Sequence, residues 1–421
     1  MSQKLRIGID CRLSGKQHAG IGRYIENLVQ RLPVDQHIEW ILFFHDQKQA
    51  DEVLQSFSHS TIRPLVKLIP VKHYSLAEQL KLPQVFMAAK LDLLHVPHFN
   101  IPIFYHGKLV VTIHDLLWHE QKGTSVTTLP KWQYWLKYLG YRLVASQAIR
   151  KAGKIIVPSQ TIKQTLSRYY PQAQKKVVVI KEGIDRKFQK LKTKNQKTIT
   201  YTLHPTPYTL LYVGSLYPHK NLELVFQALK QLPEVKLNIV SARSAFRDKL
   251  EHQTQASNLK HQISFLGYIS DKELIKLYHS SLALVQPSLS EGFGLTGVEA
   301  MAAGCPVLAS DIPVFKEIYG QAATYFDPKS AESLIQAIEQ LRQLSPKPRL
   351  PFGKGTPSGQ IERNKLIEQG KKQAKQYSWD EMVEKTIEVF KSQAEASLRE
   401  RDPFGAISPE GRSSSGRKAS Q

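Results

Sequence analysis

The chain has 421 residues, and its 41% hydrophobic and 22% charged residues are proportions typical of a folded protein. This length exceeds what a single hydrophobic core usually serves, so two domains are expected. The net charge of +22 suits an anionic partner, and the two cysteines, Cys11 and Cys305, do not indicate a disulfide framework, which favours a reducing compartment.

Short apolar runs alternate with amphipathic segments along the first half of the chain. Strands are predicted at residues 5–10, 40–44, 93–96, 109–114, 154–157 and 177–180, and helices at 22–31, 129–150 and 160–169. Such alternation favours a parallel sheet covered by helices. MSQKLRIGID is interpreted as the first strand, not a secretory signal, because its apolar run is too short. No uncharged apolar stretch is long enough to cross a bilayer.

The positive charge is concentrated in one stretch. Residues 121–181 contain twelve lysines and arginines and no acid. Six aromatic residues are interleaved with them: Trp118, Trp132, Tyr134, Trp135, Tyr138 and Tyr141. This pattern suits an anionic membrane, a phosphate-bearing acceptor or nucleic acid. It is equally typical of a solvated helix face whose aromatic residues belong to the core.

The alternation of apolar and amphipathic segments restarts after a polar segment. Strands are predicted at residues 210–214, 237–240, 263–266, 283–286 and 307–309, and helices at 221–231, 271–279, 296–303 and 331–343. Two α/β domains should therefore face each other across a ligand-binding cleft. Residues 345–359, rich in Pro, Gly and Lys, are expected to form an exposed loop.

The predicted organisation has five parts. They are an N-terminal domain (1–185), a linker (186–208), a C-terminal domain (209–376), a crossing helix that packs back on the first domain (377–400) and a disordered tail (401–421).

The segment SEGFGLTGVEAMAAGCPV, residues 290–307, carries the clearest chemical signal. Glu291 is predicted in a glycine-rich loop after a buried strand, and Glu299 in the helix that follows. Glycines let backbone amides approach a ligand, and a helix start favours phosphate. Ionised carboxylates suit sugar hydroxyls, because they only accept hydrogen bonds. Taken alone, the same sequence pattern is also typical of a turn followed by an acid that caps a helix.

Residues 265–318 as a whole resemble the donor-binding half of glycosyltransferase family four, through FLGYISDKELIKLYHSSLALVQPSLSEGFGLTGVEAMAAGCPVLASDIPVFKEIYG. The resemblance implies the GT-B fold, in which two Rossmann-like, doubly wound domains face each other and a C-terminal helix closes the structure. It implies that Glu291 holds hydroxyls of the transferred sugar and that Glu299 holds the ribose diol. It also implies donor contacts from the segment at the helix start, Phe293, Gly294, Leu295 and Thr296, and from the loop that is expected near the base, Gly267, Tyr268 and Ile269.

LLYVGSLYPHKNLELVFQAL resembles a second motif of this family. A strand is predicted to run into Gly214, and Lys220 stands before the next helix, where a cation could meet a leaving diphosphate. The family commonly adds an arginine where this chain has Ser215 or His219. A two-cation clamp would therefore depend on the protonation of His219. Alone, Lys220 would be interpreted as a surface lysine.

IGIDCRLSGKQHAGIGRYIENL in the first domain is similar to the family's loop near the donor phosphates and acceptor. Gly20 and Gly22 lack the later glycine of a dinucleotide-binding fingerprint, so NAD binding is not predicted. Further basic candidates there are Arg12 and Arg23. His114 falls where the family places a histidine that contacts the transferred sugar, although a single histidine is also typical of a structural role. Weaker candidates are Asp115, His95 and His98.

The resemblance as a whole implies a retaining hexosyltransferase, with catalytic roles for Lys220, Glu291 and His114. DCRLSG, GIGRY, YVGSL and HKNL look most like mannosyltransferases that use GDP-mannose. We expect a glycan or lipid-linked acceptor, a cytoplasmic location and peripheral contact with the inner face of the plasma membrane through residues 121–181. Neither an Asp-x-Asp motif nor a Cys/His cluster is present, so no metal or cofactor is expected. The alternatives are a UDP- or ADP-sugar donor, sugar-nucleotide epimerisation, or a basic nucleic-acid-binding protein, for which no motif is found.

Overall fold

The computed structural model describes residues 4–15, 18–55, 64–121, 123, 130–189, 208–242, 246–344 and 357–401. The first sheet is built from β1 (Leu5–Asp10), β2 (Ile38–Phe44), β3 (Leu65–Leu68), β4 (Leu93–Val96), β5 (Leu109–Thr112), β6 (Lys154–Val157) and β7 (Val177–Val179). Its strands are all parallel, in the order β3-β2-β1-β4-β5-β6-β7. The helices between them are α1 (Ala19–Gln30), α2 (Gln47–Leu54), α3 (Leu76–Ala88), α4 (Leu117–Glu120), α5 (Lys131–Lys151) and α6 (Gln160–Tyr169).

The second sheet repeats this plan. It is built from β8 (Thr209–Val213), β9 (Lys236–Val240), β10 (Ile263–Gly267), β11 (Ala283–Gln286), β12 (Val307–Ser310) and β13 (Thr324–Phe326), all parallel, in the order β10-β9-β8-β11-β12-β13. The helices are α7 (Leu222–Leu229), α8 (Arg247–Ala256), α9 (Asp271–Ser280), α10 (Leu295–Ala302), α11 (Pro313–Tyr319), α12 (Ala331–Leu344), α13 (Pro357–Ala374) and α14 (Trp379–Arg401). The predicted pair of doubly wound α/β domains is confirmed.

The central strands are buried on both faces because helices cover both sides of each sheet. In β4, β5, β11 and β12 every residue is buried, which is why these strands are mostly apolar, with a single polar residue in each and no polar alternation. Parallel strands place their carboxyl ends at one edge of the sheet. The loops after β5, β8 and β11 therefore carry the candidate residues to the boundary between the two domains.

The last helix, α14, belongs to the core of the first domain, although it follows the second domain in the chain. Trp379, Met382, Val383, Ile387 and Phe390 are buried in one cluster with β1, β2 and α1. The core of the first domain is therefore completed by a helix that follows the second domain in the sequence.

The structure corrects several predicted boundaries. Helix α1 begins at Ala19 and not at Gly22, so Gly20 lies in its first turn together with Gly22 and not in a loop. Strand β5 ends at Thr112, which leaves His114 in the following loop. The predicted loop 345–359 was partly wrong, because α13 already begins at Pro357.

Some predictions lie outside the described residues. These are the larger part of the linker (residues 190–207), residues 345–356 of the predicted loop and the tail from residue 402. At the start of the linker, Phe188 is buried in the core of the second domain.

Candidate functional site

The glycine-rich loop connects β11 to α10 as predicted, and packing accounts for Gly294 at the end of the loop and Gly297 in the helix. A Cβ on Gly294 or Gly297 would overlap the hydroxyl of Tyr319. That buried hydroxyl lies 2.5 Å from Oε1 of Gln286 and 2.7 Å from the carbonyl of Gly294. Gly294 also has a φ of +94°, which disfavours side chains with a Cβ. Gln286 in turn donates to the Thr296 hydroxyl, so the start of α10 is held by a buried polar network.

Glu291 forms an ion pair with Lys220 in the second domain. The Nζ atom of Lys220 lies 2.5 Å from Oε1 of Glu291, and the Ser288 hydroxyl donates to the same oxygen at 2.7 Å. Burial acts to raise the pKa of Glu291, but the Lys220 charge and hydrogen bond outweigh burial and the net pKa is lowered. The carboxylate is therefore ionised at neutral pH and acts as a hydrogen-bond acceptor.

Glu299 lies on α10 and faces the first domain. Its side chain is 1% exposed and its Oε1 atom pairs with Nη1 of Arg23 on α1. Within the described ranges, no group hydrogen-bonds its buried Oε2 atom. A buried carboxylate oxygen without a donor is costly, so this atom suits a ligand hydroxyl at the domain boundary.

The imidazole ring of His114 is positioned by a contact with Glu182, a residue that the sequence analysis did not identify. Its Nδ1 atom lies 2.9 Å from Oε1 of Glu182, which follows β7. The Nε2 atom of His114 is buried and has no hydrogen-bond partner among the described residues. The carboxyl ends of β5 and β7 are a signal that could have found this pair, because both residues follow parallel strands of one sheet.

The two domains meet directly at this point. A Cβ on Gly292 would overlap the carbonyl of His114, and the Ser159 hydroxyl donates to the Gly292 carbonyl at 2.9 Å. Glu317 of α11 accepts from the first backbone amides of α6, at Gln160 and Thr161, each at 2.8 Å. Glu291, Glu299 and His114 are therefore gathered at one interdomain boundary.

His219 does not provide a second cation at neutral pH. Burial, followed by the neighbouring Lys220 charge, lowers its pKa to about 4. Its carbonyl accepts from Leu289 at 2.8 Å, which ties the Lys220 loop to the Glu291 loop. Arg23 extends from the first domain to Glu299 and places a positive charge at the boundary between the domains.

The remaining donor-binding candidates lie at the ends of strands and around the start of α10. Gly214, after β8, donates to the Val240 carbonyl at 3.0 Å. Gly267 has a φ of +68°, and its neighbour Tyr268 is 57% exposed. Phe293 is buried against Tyr377, whereas Ile269 and Leu295 are partly buried, and Leu295 packs on the cores of both domains. The donor contacts of these residues stay predictions.

Gly20 and Gly22 have different surroundings in α1. A Cβ on Gly22 would overlap the carbonyl of Gly15, whereas a Cβ on Gly20 would meet no described atom within 4 Å. Gly22 is thus needed for packing, and Gly20 is the glycine of the pair at which the backbone remains accessible.

Arg12 and the three weaker candidates have structural roles. Arg12 is buried and paired with Asp10 and Glu78, at 2.7 and 2.9 Å. His95 contacts the carbonyl of Val110, and burial lowers the pKa of both His95 and His98 to about 3. Asp115 accepts from the backbone of Leu117.

No cluster of three or more acidic, histidine or cysteine side chains that could hold a metal occurs in the described part of the chain. The expectation of metal independence stays a prediction.

Sequence models of known families match the two domains in turn. Residues 18–188 match the sequence model of "Glycosyltransferase Family 4", and residues 194–373 match that of "Glycosyl transferases group 1".

The chain belongs to glycosyltransferase family 4.

Two curated relatives of this glycosyltransferase are mannosyltransferases. It is 27% identical to the O-antigen chain mannosyltransferase RfbU of Salmonella typhimurium over 281 residues, which are 66% of this chain and 72% of the relative. It is 26% identical to O-antigen chain mannosyltransferase B of Escherichia coli over 394 residues, which are 88% and 96% of the two chains.

The fold of the glycosyltransferase is also found in solved structures. One is Anabaena HepE in complex with UDP-glucose, with a TM-score of 0.67 and 18% identity over 92% of this chain and 100% of HepE. At this identity the likeness supports the GT-B fold alone.

Proposed function

We propose that this glycosyltransferase transfers mannose from GDP-mannose to a glycan or lipid-linked acceptor, with retention at the anomeric carbon and without a metal. The observation that carries the proposal is the gathering of the Lys220–Glu291 ion pair, the Oε2 atom of Glu299 and His114 at the interdomain boundary. The two O-antigen mannosyltransferase relatives support the choice of sugar.

The two acids have separate roles in this proposal. Glu291, kept ionised by Lys220, accepts hydrogen bonds from hydroxyls of the transferred sugar, and Glu299 accepts from the ribose diol through Oε2. Lys220 and the backbone amides at the start of α10 stabilise negative charge on the departing diphosphate. Arg23 is close enough to Glu299 to contribute a second positive charge from the first domain.

The acceptor hydroxyl attacks on the face of the sugar from which the diphosphate leaves. The new glycosidic bond forms as the bond to the diphosphate breaks, and a phosphate oxygen takes the proton of the hydroxyl. His114, positioned by Glu182, presents its Nε2 atom to the transferred sugar. We place the reaction at the cytoplasmic face of the plasma membrane, in polysaccharide biosynthesis.

A panel of sugar nucleotides tests the donor. GDP-mannose, UDP-glucose and ADP-glucose are each added to the protein, and thermal unfolding and slow donor hydrolysis are measured. GDP-mannose should raise the unfolding temperature most, because a ligand that binds only the folded state stabilises it by mass action. Glu299→Gln should weaken this shift, whereas Glu388→Gln, at an exposed position on α14, should not.

If UDP-glucose or ADP-glucose stabilised the protein more than GDP-mannose does, the assignment of the donor would change, whereas the assignment as a glycosyltransferase would stand. Lack of stabilisation by any sugar nucleotide, together with salt-sensitive RNA binding, would contradict the proposed function.

A further inference from the structure

Helix α5 is apolar on two opposite faces. Its inner face packs into the first domain through the buried residues Tyr134, Tyr141, Ala145, Ala148 and Ile149. Its opposite side, here called the α5 outer face, consists of Trp132, Trp135, Leu136, Leu139 and Leu143. At about 100° per residue, these five side chains fall within an arc of about 100°. The basic aromatic stretch of the sequence therefore divides into core residues and surface residues.

All five side chains of the α5 outer face remain largely exposed in the part of the chain that the structure describes. Its residues are 68%, 50%, 69%, 67% and 53% exposed, in chain order. The outer side of a helix that covers a sheet is normally polar. A contiguous apolar surface of this kind is typical of a site that meets a partner or a membrane.

The surroundings of the α5 outer face are cationic. Lys131, Lys137, Arg142 and Arg150 lie on the same helix, and residues 121–181 contain no acid. Lys131, Lys137 and Arg142 form no ion pair with any residue of the described ranges. The surface thus combines apolar side chains with uncompensated positive charge.

A loop that carries an exposed aromatic residue lies next to the end of α5. The Nζ atom of Lys151, at the end of α5, contacts the backbone carbonyls of Ile103 and Tyr105. Phe104 between them is 54% exposed. The loop is also tied to α3, because Gln79 accepts from the Ile103 amide at 2.8 Å. An exposed aromatic side chain therefore lies beside the C-terminal end of α5.

We infer that the α5 outer face inserts into the interfacial layer of an anionic lipid bilayer, with the neighbouring lysines and arginines contacting lipid phosphates. Tryptophan and leucine beside lysine and arginine are the composition that favours this layer. A second copy of the chain is a poorer partner, because a two-fold contact would bring one acid-free basic surface against another. Nucleic acid would match the charge but would not bury leucines.

The same helix is connected to the reaction site. The Tyr141 hydroxyl, on the inner face of α5, lies 2.5 Å from Nδ1 of His119 in α4. The Nε2 atom of His119 lies 2.8 Å from the hydroxyl of Tyr170. Because α4 closely follows His114, lipid binding by α5 would fix the acceptor side of the cleft near the membrane surface. The inference concerns this surface alone and does not require GDP-mannose to be the donor.

Vesicle sedimentation at low salt tests the inference on the full chain. The vesicles contain either phosphatidylcholine alone or phosphatidylcholine mixed with phosphatidylglycerol. The protein should bind the anionic vesicles, and the triple variant Trp132→Ser, Leu136→Ser, Leu139→Ser should bind them about 10-fold more weakly or worse. The matched control is Ile361→Ser, which removes a side chain of the second domain that is 67% exposed and should leave binding unchanged.

Two further measurements separate lipid binding from the donor chemistry. Stabilisation by GDP-mannose should be the same in the triple variant and the parent protein, so loss of donor binding and loss of lipid binding are distinguishable. Lys137→Glu combined with Arg142→Glu should weaken binding to anionic vesicles and reduce its salt dependence. Absence of vesicle binding by the parent protein, or equal binding by the triple variant, would overturn the inference. So would a concentration-dependent dimer that the triple variant abolishes.

Discussion

The Lys220–Glu291 ion pair has a structural role in addition to the functional role that we propose, and the sequence motifs alone do not show it. Both side chains are mostly buried, at 18% and 16% exposure, so each compensates the charge of the other. Removing the lysine would therefore leave a buried carboxylate without its partner. A second variant is therefore needed to separate a loss of catalysis from a loss of stability when Lys220 is replaced.

Replacing Lys220 by Met should lower turnover about 100-fold or more, because preorganised charge near the leaving diphosphate is lost. It should also lower the free energy of unfolding by about 1–3 kcal/mol, since Glu291 is left unpaired. Adding Glu291→Gln should restore stability without restoring turnover. Urea unfolding and initial rates measure the two effects. Lys316→Met, which removes an exposed ion pair with Asp311, is the control and should change neither.

Glu182 is expected to act as a positioning residue through His114. Glu182→Leu should lower kcat about 10-fold or more, because the Nδ1 proton of His114 loses its acceptor, whereas Glu182→Gln should retain more activity. Long-range ¹H–¹⁵N NMR spectra of the histidine ring show which nitrogen carries the proton. Glu384→Gln, at an exposed position of α14, is the control. The same tautomer and the same kcat in the leucine variant would contradict this role.

At the residue scale, the local sequence motifs predicted individual site residues better than they predicted the contacts between those residues. Glu291, Glu299 and Lys220 could be found because they lie in motifs of recognisable spacing. The contacts of Glu299 with Arg23 and of His114 with Glu182 join residues 276 and 68 positions apart. Such contacts depend on how the strands are ordered and how the domains meet, which a linear pattern does not contain.

At the scale of elements, buried strands were predicted well and peripheral elements were missed. Strands β4, β6 and β11 match their predicted limits, because the burial of nearly all their residues makes them short and mostly apolar. Strand β3 was missed because it is an edge strand with mostly exposed residues. Helix α8, RDKLEHQTQA, was missed because it buries only Leu250 and Thr254, so it lacks a clear apolar periodicity.

Two glycines in the first turn of α1 give a matched pair of variants. Gly22→Ala should destabilise the protein, because its new methyl group would overlap the Gly15 carbonyl. Gly20→Ala should keep or increase stability by up to about 1 kcal/mol, since alanine favours a helix and the position is open. If Gly20 borders the donor, the same variant should bind GDP-mannose more weakly. Urea unfolding and donor titration measure both, and equal stability losses in the two variants would contradict this account.

At the scale of the whole molecule, contacts between the domains bring the candidate residues together and also satisfy backbone groups at the start of a helix. Glu317 of the second domain satisfies amides at the start of α6 in the first, and Ser159 reaches the Gly292 carbonyl. The doubled α/β pattern predicted two facing domains. These particular contacts were not predictable, because they depend on the relative orientation of two rigid bodies.

Buried neutral histidines should make the first domain sensitive to acid. Burial lowers the pKa of His95 and His98 to about 3, so between that value and the unfolded pKa the unfolded chain binds more protons. Stability is therefore fully present above the unfolded pKa and falls as the pH falls through it. From pH 7.5 to pH 5 the loss should be on the order of 2 kcal/mol for each histidine.

Tryptophan fluorescence during urea unfolding measures this loss, because all five tryptophans, including the buried Trp40 and Trp379, lie in the first domain or in α14. His95→Gln should lose less stability than the parent protein over the same pH range. His37→Gln, at an exposed position, should follow the parent. Identical slopes for the parent and the His95 variant would contradict the assignment.

The position of α14 has a consequence for biosynthesis. A ribosome releases the strands of the first domain early, yet Trp379 and Phe390, which complete their core, are among the later residues to emerge. Until α14 is synthesised, the nascent chain must leave an apolar groove beside β1 and α1 uncovered. Premature stop codons anywhere before α14 should therefore produce chaperone-bound or degraded fragments, and the N-terminal half should not be obtainable as a separately folded protein.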